Sequence, residues 1–309
     1  MRFLVIGASG FVGWHVLTHV RALGYEALGT ASSQTAGGLL PFDLTRDRIE
    51  ERVPASWWGR GGLAIGVIAS AVTQIDRCAQ ELQLARQVNV DGTIRLINDL
   101  VGCGVKPIYL SSSFVFDGSL GYYPDDFPHS PISEYGRHKS EVERYMRERV
   151  AEGLTLRLDK IVGDDPAERH LFSEWWGWIT SGRPILCIDG QVISPTLVDD
   201  IARAVVRGCE RGLRGVLNAA NPEFFSREEL ARQFLAAVGR EAEVVCQSQE
   251  ALGFQDLRPL RSYLDSSQFV GATGMRWTPM RQVFTRFMER LRPPTEAAGR
   301  RVHYEGVKR

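Results

Sequence analysis

Short unbroken apolar runs alternate with stretches of helical spacing through about residue 160. Arg2-Phe3-Leu4-Val5-Ile6 is the first run, and residues 63–68, 107–110 and 154–158 repeat it. Apolar runs of this length, with no polar alternation, suit strands buried on both faces of a parallel sheet. Between them, helical spacing predicts helices from after Gly13 to about 23, over 82–102 and over 135–150, the second carried by Leu84, Val88, Ile94, Ile97 and Val101. A further strand is expected at 26–30, and a helix from about Thr45. Strands alternating with helices predict an α/β fold built on a doubly wound parallel sheet. Beyond residue 162 the alternation loosens. A helix bearing Trp175, Trp176 and Trp178, helices at 196–212 and 227–238 and a strand at 215–218 are expected there. The tryptophans read first as core and second as a pocket wall.

That pattern divides the chain into a first unit over 1–162, to which 194–218 returns, and a smaller C-terminal α/β part over 163–193 and 219–292. Residues 293–309 lack apolar periodicity and read as a flexible tail. Hydrophobic residues at 44% and charged residues at 24% describe an ordinary globular chain. The formal net charge is zero, so no global field draws in nucleic acid or an anionic membrane. Five scattered cysteines lack metal-ligand spacing and read as reduced thiols of a cytoplasmic protein, with no metal cluster. Neither a signal peptide nor a membrane-length apolar run is present in the sequence.

Chemistry enters at Gly7-Ala8-Ser9-Gly10-Phe11-Val12-Gly13, directly after the first strand and before the first helix. In that setting glycines let the backbone approach a pyrophosphate, and the helix N-terminus offers free N–H groups and a positive dipole. This predicts a dinucleotide site made by Gly7, Ser9, Gly10, Phe11, Val12 and Gly13. The second strand runs into Ala31-Ser32-Ser33 with no carboxylate to hold a ribose 2′-hydroxyl. Small hydroxyl donors there point to NADP rather than NAD. Asp43-Leu44 and the small residues Ala69-Ser70-Ala71 complete the expected cofactor edge. Ser111-Ser112-Ser113 ends another strand, where open α/β sheets bind ligands. Tyr135 and Lys139 are four apart on one helix face. An ammonium one turn from a phenol is expected to favour the phenolate and ease proton transfer. Asn89, inside the long predicted helix, reads as a solvated side chain, and Trp57-Trp58 as a hydrophobic anchor.

Together these motifs resemble the extended short-chain dehydrogenase/reductase family over about residues 1–290, with Leu197-Val198-Asp199-Asp200-Ile201-Ala202 as a further match. Within it, the chain is most similar to the dTDP-4-dehydrorhamnose reductase group. Thr73-Gln74-Ile75-Asp76-Arg77, Ser111 through Gly118, Ser130-Pro131 through Gly136, and Arg258-Pro259-Leu260-Arg261-Ser262-Tyr263-Leu264-Asp265 carry that likeness. The resemblance implies a Rossmann-type fold and an NADPH-dependent reductase of a keto-sugar nucleotide, of the 4-keto-6-deoxyhexose type. It implies catalytic roles for Ser112, Tyr135 and Lys139, with Lys139 also on the nicotinamide ribose. Val72, Thr73, Ser112, Ser113, Phe114, Lys160 and Arg261 become the expected substrate contacts. Departures from the group's pattern lie at Ser113-Phe114 and Lys160, which replace two polar contacts and an aromatic pocket residue. His15 stands where some members have an acid that helps hold a metal, so no metal is carried over. A homodimer is the family habit. Two other roles fit the same motifs: a sugar-nucleotide epimerase, and a non-catalytic NADP-binding regulatory subunit like the β subunit of methionine adenosyltransferase.

Overall fold

A computed structural model describes residues 1–32 and 37–291. The expected contact Ser33 and the expected tail 293–309 lie outside the described residues. The centre is a seven-stranded, all-parallel sheet. Its strands are β1 (Arg2–Ile6), β2 (Glu26–Ala31), β3 (Leu40–Pro41), β4 (Ala64–Ile68), β5 (Lys106–Ser112), β6 (Leu154–Leu158) and a last strand at Gly215–Asn218. Across the sheet they run Gly215–Asn218, β6, β5, β4, β1, β2, β3. The order reverses between β1 and β4, which is where such sheets open a ligand crevice at their carboxyl ends.

The apolar runs are strands because both sides of the sheet are covered. Successive strand side chains point to opposite faces. On one face Phe3 and Val5 pack with Val16, Leu17 and Val20 of α1 (Phe11–Ala22) and with Ile201 and Val205 of the helix Val198–Glu210. On the other, Leu4 and Ile6 pack with Leu96, Leu100, Val142 and Trp57. A separate core joins the helices Leu171–Thr180, Arg227–Val238 and Met280–Leu291 through Phe172, Trp175, Phe234, Phe284 and Phe287. Trp175 is wholly buried there, while Trp176 and Trp178 pack on that core half-buried.

Two expected helices change. The segment 82–102 is not one α-helix: six residues, Gln87–Gly92, form a π-helical turn between Leu82–Arg86 and Thr93–Gly102. The helix expected from Thr45 is a single turn at Ile49–Arg52. Before it, Asp43 closes a side-chain turn by accepting from the Thr45 N–H at 2.9 Å and its hydroxyl at 2.7 Å. Such side-chain turns compete with helix.

His15 on α1 ties the sheet's first helix to two later segments. Its Nδ1 lies 2.6 Å from Asp199 and its Nε2 2.9 Å from Glu168. Burial opposes charge on this ring, but hydrogen bonds to Asp199 and Glu168, with their charges, outweigh it and raise its pKa from 6.5 to about 9. A group whose folded pKa is raised stabilises fully below its unfolded value and loses that contribution as pH climbs through the folded one. His15→Leu should therefore lower unfolding free energy by about 1–3 kcal/mol near pH 6. In paired urea titrations the gap between variant and parent should shrink as pH passes about 9. A gap that is constant with pH would show that the ring is held by packing alone.

Candidate active site

The expected cofactor edge assembles at the carboxyl ends of the strands. Gly7 has φ +85°, and a Cβ there would come within 2.8 Å of the Ser70 backbone. A Cβ on Gly13 would lie 2.2 Å from the Gly7 carbonyl oxygen. The first loop therefore lies flat between β4 and α1, and only glycine permits that approach. Gly10 caps α1 without any side-chain hydrogen bond to the helix start. The turn is thus shaped for an anionic group over Phe11 and Val12. The Gly7 and Ala8 amides bond Thr30, joining this loop to the end of β2. Ala31 is buried in β2 and Ser32 is exposed beyond it. Ala69, Ser70 and Ala71 follow β4 half-buried.

Two members of the expected cofactor set face elsewhere. The Leu44 side chain lies in the core, and its carbonyl accepts from Arg95. The Asp43 carboxylate serves its own turn and pairs with Arg46 at 3.2 Å. Local hydrogen bonding and apolar burial win at these positions.

Ser112 ends β5. Its hydroxyl accepts from the Phe114 N–H at 3.2 Å and is the hydrogen-bonding neighbour of the Tyr135 phenol. Tyr135 lies in the first turn of the helix Glu134–Arg149, which starts on a Ser133 cap accepting from the Gly136 N–H at 3.1 Å. The helix meets the turn after β5 so closely that a Cβ on Gly136 would sit 2.1 Å from the Phe114 carbonyl oxygen. That contact sets Tyr135 beside Ser112. Phe114 meets the Tyr135 ring edge-on at 5.9 Å and lines the same cleft.

Lys139 behaves differently from the sequence expectation. Its Nζ donates to the Leu110 carbonyl at 2.8 Å and lies 4.6 Å from the Tyr109 ring centre and 5.6 Å from that of Tyr135. Burial, only partly offset by Glu143 one turn on, lowers its pKa from 10.5 to about 8. Tyr135 is not drawn toward phenolate. Protein crowded around the phenol raises its pKa despite the Ser112 hydrogen bond. A phenol that keeps its proton at neutral pH is an acid, suited to giving a proton to an alkoxide.

Beneath these groups lies a network that sequence reading missed. Glu143 and Arg157, each 1% exposed, pair at 2.8 Å. Ser111 donates to Glu143, His129 lies 3.1 Å from it, and Arg157 also donates to the Asp125 carbonyl at 2.8 Å. The available signal was Arg157 inside the otherwise apolar run Leu-Thr-Leu-Arg-Leu. Asn89 was misread as solvated. It is buried, accepts from the Val72 N–H at 2.8 Å and donates to the Val72 carbonyl at 3.0 Å, so it sets the loop after β4.

Ser113 is corrected as well. It is 0% exposed and donates to Asp159 at 2.7 Å, so it does not face a ligand. Asp159 also accepts from Ser262 Oγ at 2.7 Å and the Ser194 N–H at 2.6 Å. Burial raises the Asp159 pKa against those hydrogen bonds. Thr73 is exposed at the rim. Beside it Asp76 pairs with Arg258 at 2.7 Å, fixing the 254–258 segment over the cleft. Arg261 is an exposed rim cation whose contact with the Ser119 carbonyl is long, at 3.4 Å. Lys160 stands exposed at the end of β6 but ringed by protein. Among the described residues no group of three or more His, Cys, Asp and Glu is arranged to hold a metal ion, and no helix is long and apolar enough to cross a membrane.

Residues 1–292 match the model of the RmlD substrate binding domain family. The chain belongs to this family. It is an NAD(P)-dependent oxidoreductase with the extended short-chain dehydrogenase/reductase fold. It is 25% identical over 281 residues to the "Probable low-salt glycan biosynthesis reductase Agl14" of Haloferax volcanii, covering 89% of this chain and 93% of that one. It is 27% identical over 251 residues to the dTDP-4-dehydrorhamnose reductase of Mycobacterium tuberculosis, covering 79% and 78%. The fold superposes with a TM-score of 0.80 on a Bacillus anthracis dTDP-4-dehydrorhamnose reductase solved in complex with NADP, at 21% identity over 93% of this chain and 98% of that one.

Two outcomes follow from the site's electrostatics. Arg157→Met leaves Glu143 charged and buried without its partner, which should cost about 3–5 kcal/mol in urea unfolding; a loss under about 1 kcal/mol would mean that water reaches the pair. The chain has four lysines, Lys106, Lys139, Lys160 and Lys308. Methyl-labelled lysine NMR should show the Lys139 resonance, identified by Lys139→Met, titrating near pH 8. Titration at an ordinary lysine value would remove the burial argument.

Proposed function

We propose that the protein reduces the keto group of a sugar nucleotide with NADPH. One observation carries this reading: Ser112 and a phenol held in its protonated form meet beside Lys139, on the sheet edge that also bears the glycine loop. The names of the Haloferax and mycobacterial relatives support a sugar-type substrate, since both are called reductases, of glycan biosynthesis and of dTDP-4-dehydrorhamnose.

The glycine loop fits a dinucleotide, because a Cβ at Gly7 or Gly13 would fill the cradle. Gly7, Ser9, Gly10, Phe11, Val12 and Gly13 hold the pyrophosphate, Ala31 and Ser32 border the adenosine ribose, and Ala69, Ser70 and Ala71 flank the middle. No carboxylate ends β2, which suits the 2′-phosphate of NADP better than the free hydroxyl of NAD. Bound NADPH supplies the hydride. Ser112 hydrogen-bonds the keto oxygen, and Tyr135 gives its proton to that oxygen as charge develops on it. A donor aimed at such an oxyanion contributes about 3–4 kcal/mol. Lys139, fixed by the Leu110 carbonyl, holds positive charge behind the phenol and would hold the nicotinamide ribose. Val72, Thr73, Phe114, Lys160 and Arg261 border the sugar, with the part of the chain around the second core serving as the substrate side.

Tyr135→Phe should lower NADPH oxidation with a panel of 4-keto-sugar nucleotides by about 100- to 10,000-fold. NADPH binding, followed by cofactor fluorescence, should stay near that of the parent. Undiminished turnover in the variant would defeat the assignment. A parent that turns over no member of the panel, and that co-purifies with another enzyme, would favour the regulatory role.

A further inference from the structure

A cavity of about 770 Å³ opens on the outer flank of α1, between that helix, the helix Val198–Glu210 and the stretch from Arg276 to Arg286. None of the residues assigned above to the cofactor, the substrate or the proton transfer lines it. Its volume lies in the range of small-molecule sites, roughly 300–1,000 Å³. Three arginines stand on the wall, Arg203, Arg276 and Arg286. Arg203 is spent within the protein: it pairs with Asp200 and lies 3.4 Å from the Arg276 carbonyl and the Thr278 hydroxyl. Arg276 is exposed and, among the described residues, has no ion pair. Arg286 reaches only Asp164, at 3.7 Å, and Arg290 holds that carboxylate more closely, at 2.8 Å. The acids on the wall are already matched. Asp199 pairs with His15 at 2.6 Å, and buried Asp200 takes Arg203, the Thr278 N–H at 2.6 Å and the Thr278 hydroxyl at 2.9 Å. A neutral donor is left over as well. Trp277 lines the same wall at 9% exposure, and its buried indole N–H has no hydrogen-bond partner. Buried donors are normally satisfied.

Guanidiniums are forked donors for oxyanions, and a cleft walled by protein concentrates their field. Arg276 precedes the helix Met280–Leu291, and Arg286 lies well inside it. An anion between them meets donors from two separate places on the wall. That suits a tetrahedral phosphate, with oxygens pointing in several directions, better than a planar carboxylate. We propose that this cavity binds a phosphorylated small molecule, its phosphate taken by Arg276 and Arg286, at a site separate from the cofactor and substrate cleft. The volume leaves room for more than a lone phosphate, so the ligand is an organic phosphate of up to nucleotide size.

The test uses the NADP-loaded full chain, in which the cofactor's own phosphate contacts are filled. Inorganic pyrophosphate is titrated in at constant ionic strength, set with chloride. Heat and the indole N–H resonances are followed together. Trp277, one of seven tryptophans, is identified by Trp277→Phe. Pyrophosphate should bind and shift the Trp277 signal. Arg276→Gln and Arg286→Gln should each weaken binding at least about tenfold, the value of one charge-assisted hydrogen bond. Arg276→Lys should keep most of it. Arg276 is exposed and has no ion pair among the described residues, so its variants should keep the parent's melting temperature and NADP affinity, which checks their folding. Binding that leaves Trp277 unmoved and survives both glutamine variants would put the anion elsewhere and overturn the site. Citrate bound as tightly as pyrophosphate would overturn the phosphate. Absence of binding at millimolar pyrophosphate would overturn the whole proposal. So would a dimer, seen by sedimentation, that Arg276→Glu splits and pyrophosphate does not, because a second copy would then own the cavity. None of these outcomes bears on the keto-sugar reading.

Discussion

The buried pair of Glu143 and Arg157 sets the geometry on which the site depends. Both side chains are almost fully removed from water, and neither charge could stay there without the other. Glu143 belongs to the helix that begins with Tyr135, and Arg157 to β6. Ser111 of β5 donates to the same carboxylate. One ionic contact thereby fastens the helix bearing Tyr135 and Lys139 to the two strands whose ends form the cleft. The Glu143 charge also keeps the buried Lys139 ammonium more basic than burial alone would allow.

Proton chemistry in this cleft follows from dehydration more than from the lysine's charge. Lys139 turns its ammonium to the Leu110 carbonyl and the Tyr109 ring, so the phenol keeps its proton. A protonated phenol beside a serine hydroxyl is what a ketone needs as it becomes an alkoxide. In the proposed reduction the lysine contributes by position rather than by making a phenolate.

The cleft is shaped by side chains that bind backbone. Asn89 holds both polar groups of Val72, Asp76 holds the 254–258 segment, and Asp159 gathers Ser113, Ser194 and Ser262. The π-helical turn places Asn89 for this task, and π-turns inside helices often occur at functional sites. Loops whose polar groups are satisfied internally form rigid walls, which suits a site that must orient a substrate.

The sheet, the glycine turn and the Ser112, Tyr135 and Lys139 set were legible in the chain because each is a local pattern. Apolar runs separate buried strands from helices, glycines mark a backbone that must approach its neighbour, and a four-residue spacing puts two side chains on one helix face. The direction in which a side chain spends its hydrogen bonds was not local. Ser113 meets Asp159 across 46 residues, Ser262 meets it across 103, and Glu143 finds Arg157 only when the helix docks on β6. The sequence by itself determined the fold, the glycine turn and the nearness of Ser112, Tyr135 and Lys139. Tertiary structure decided that Ser113 is turned away, that Asn89 sets a wall, and that burial keeps the proton on the Tyr135 phenol. Burial and long-range partners, which govern charge and hydrogen bonding, exist only once the chain has folded.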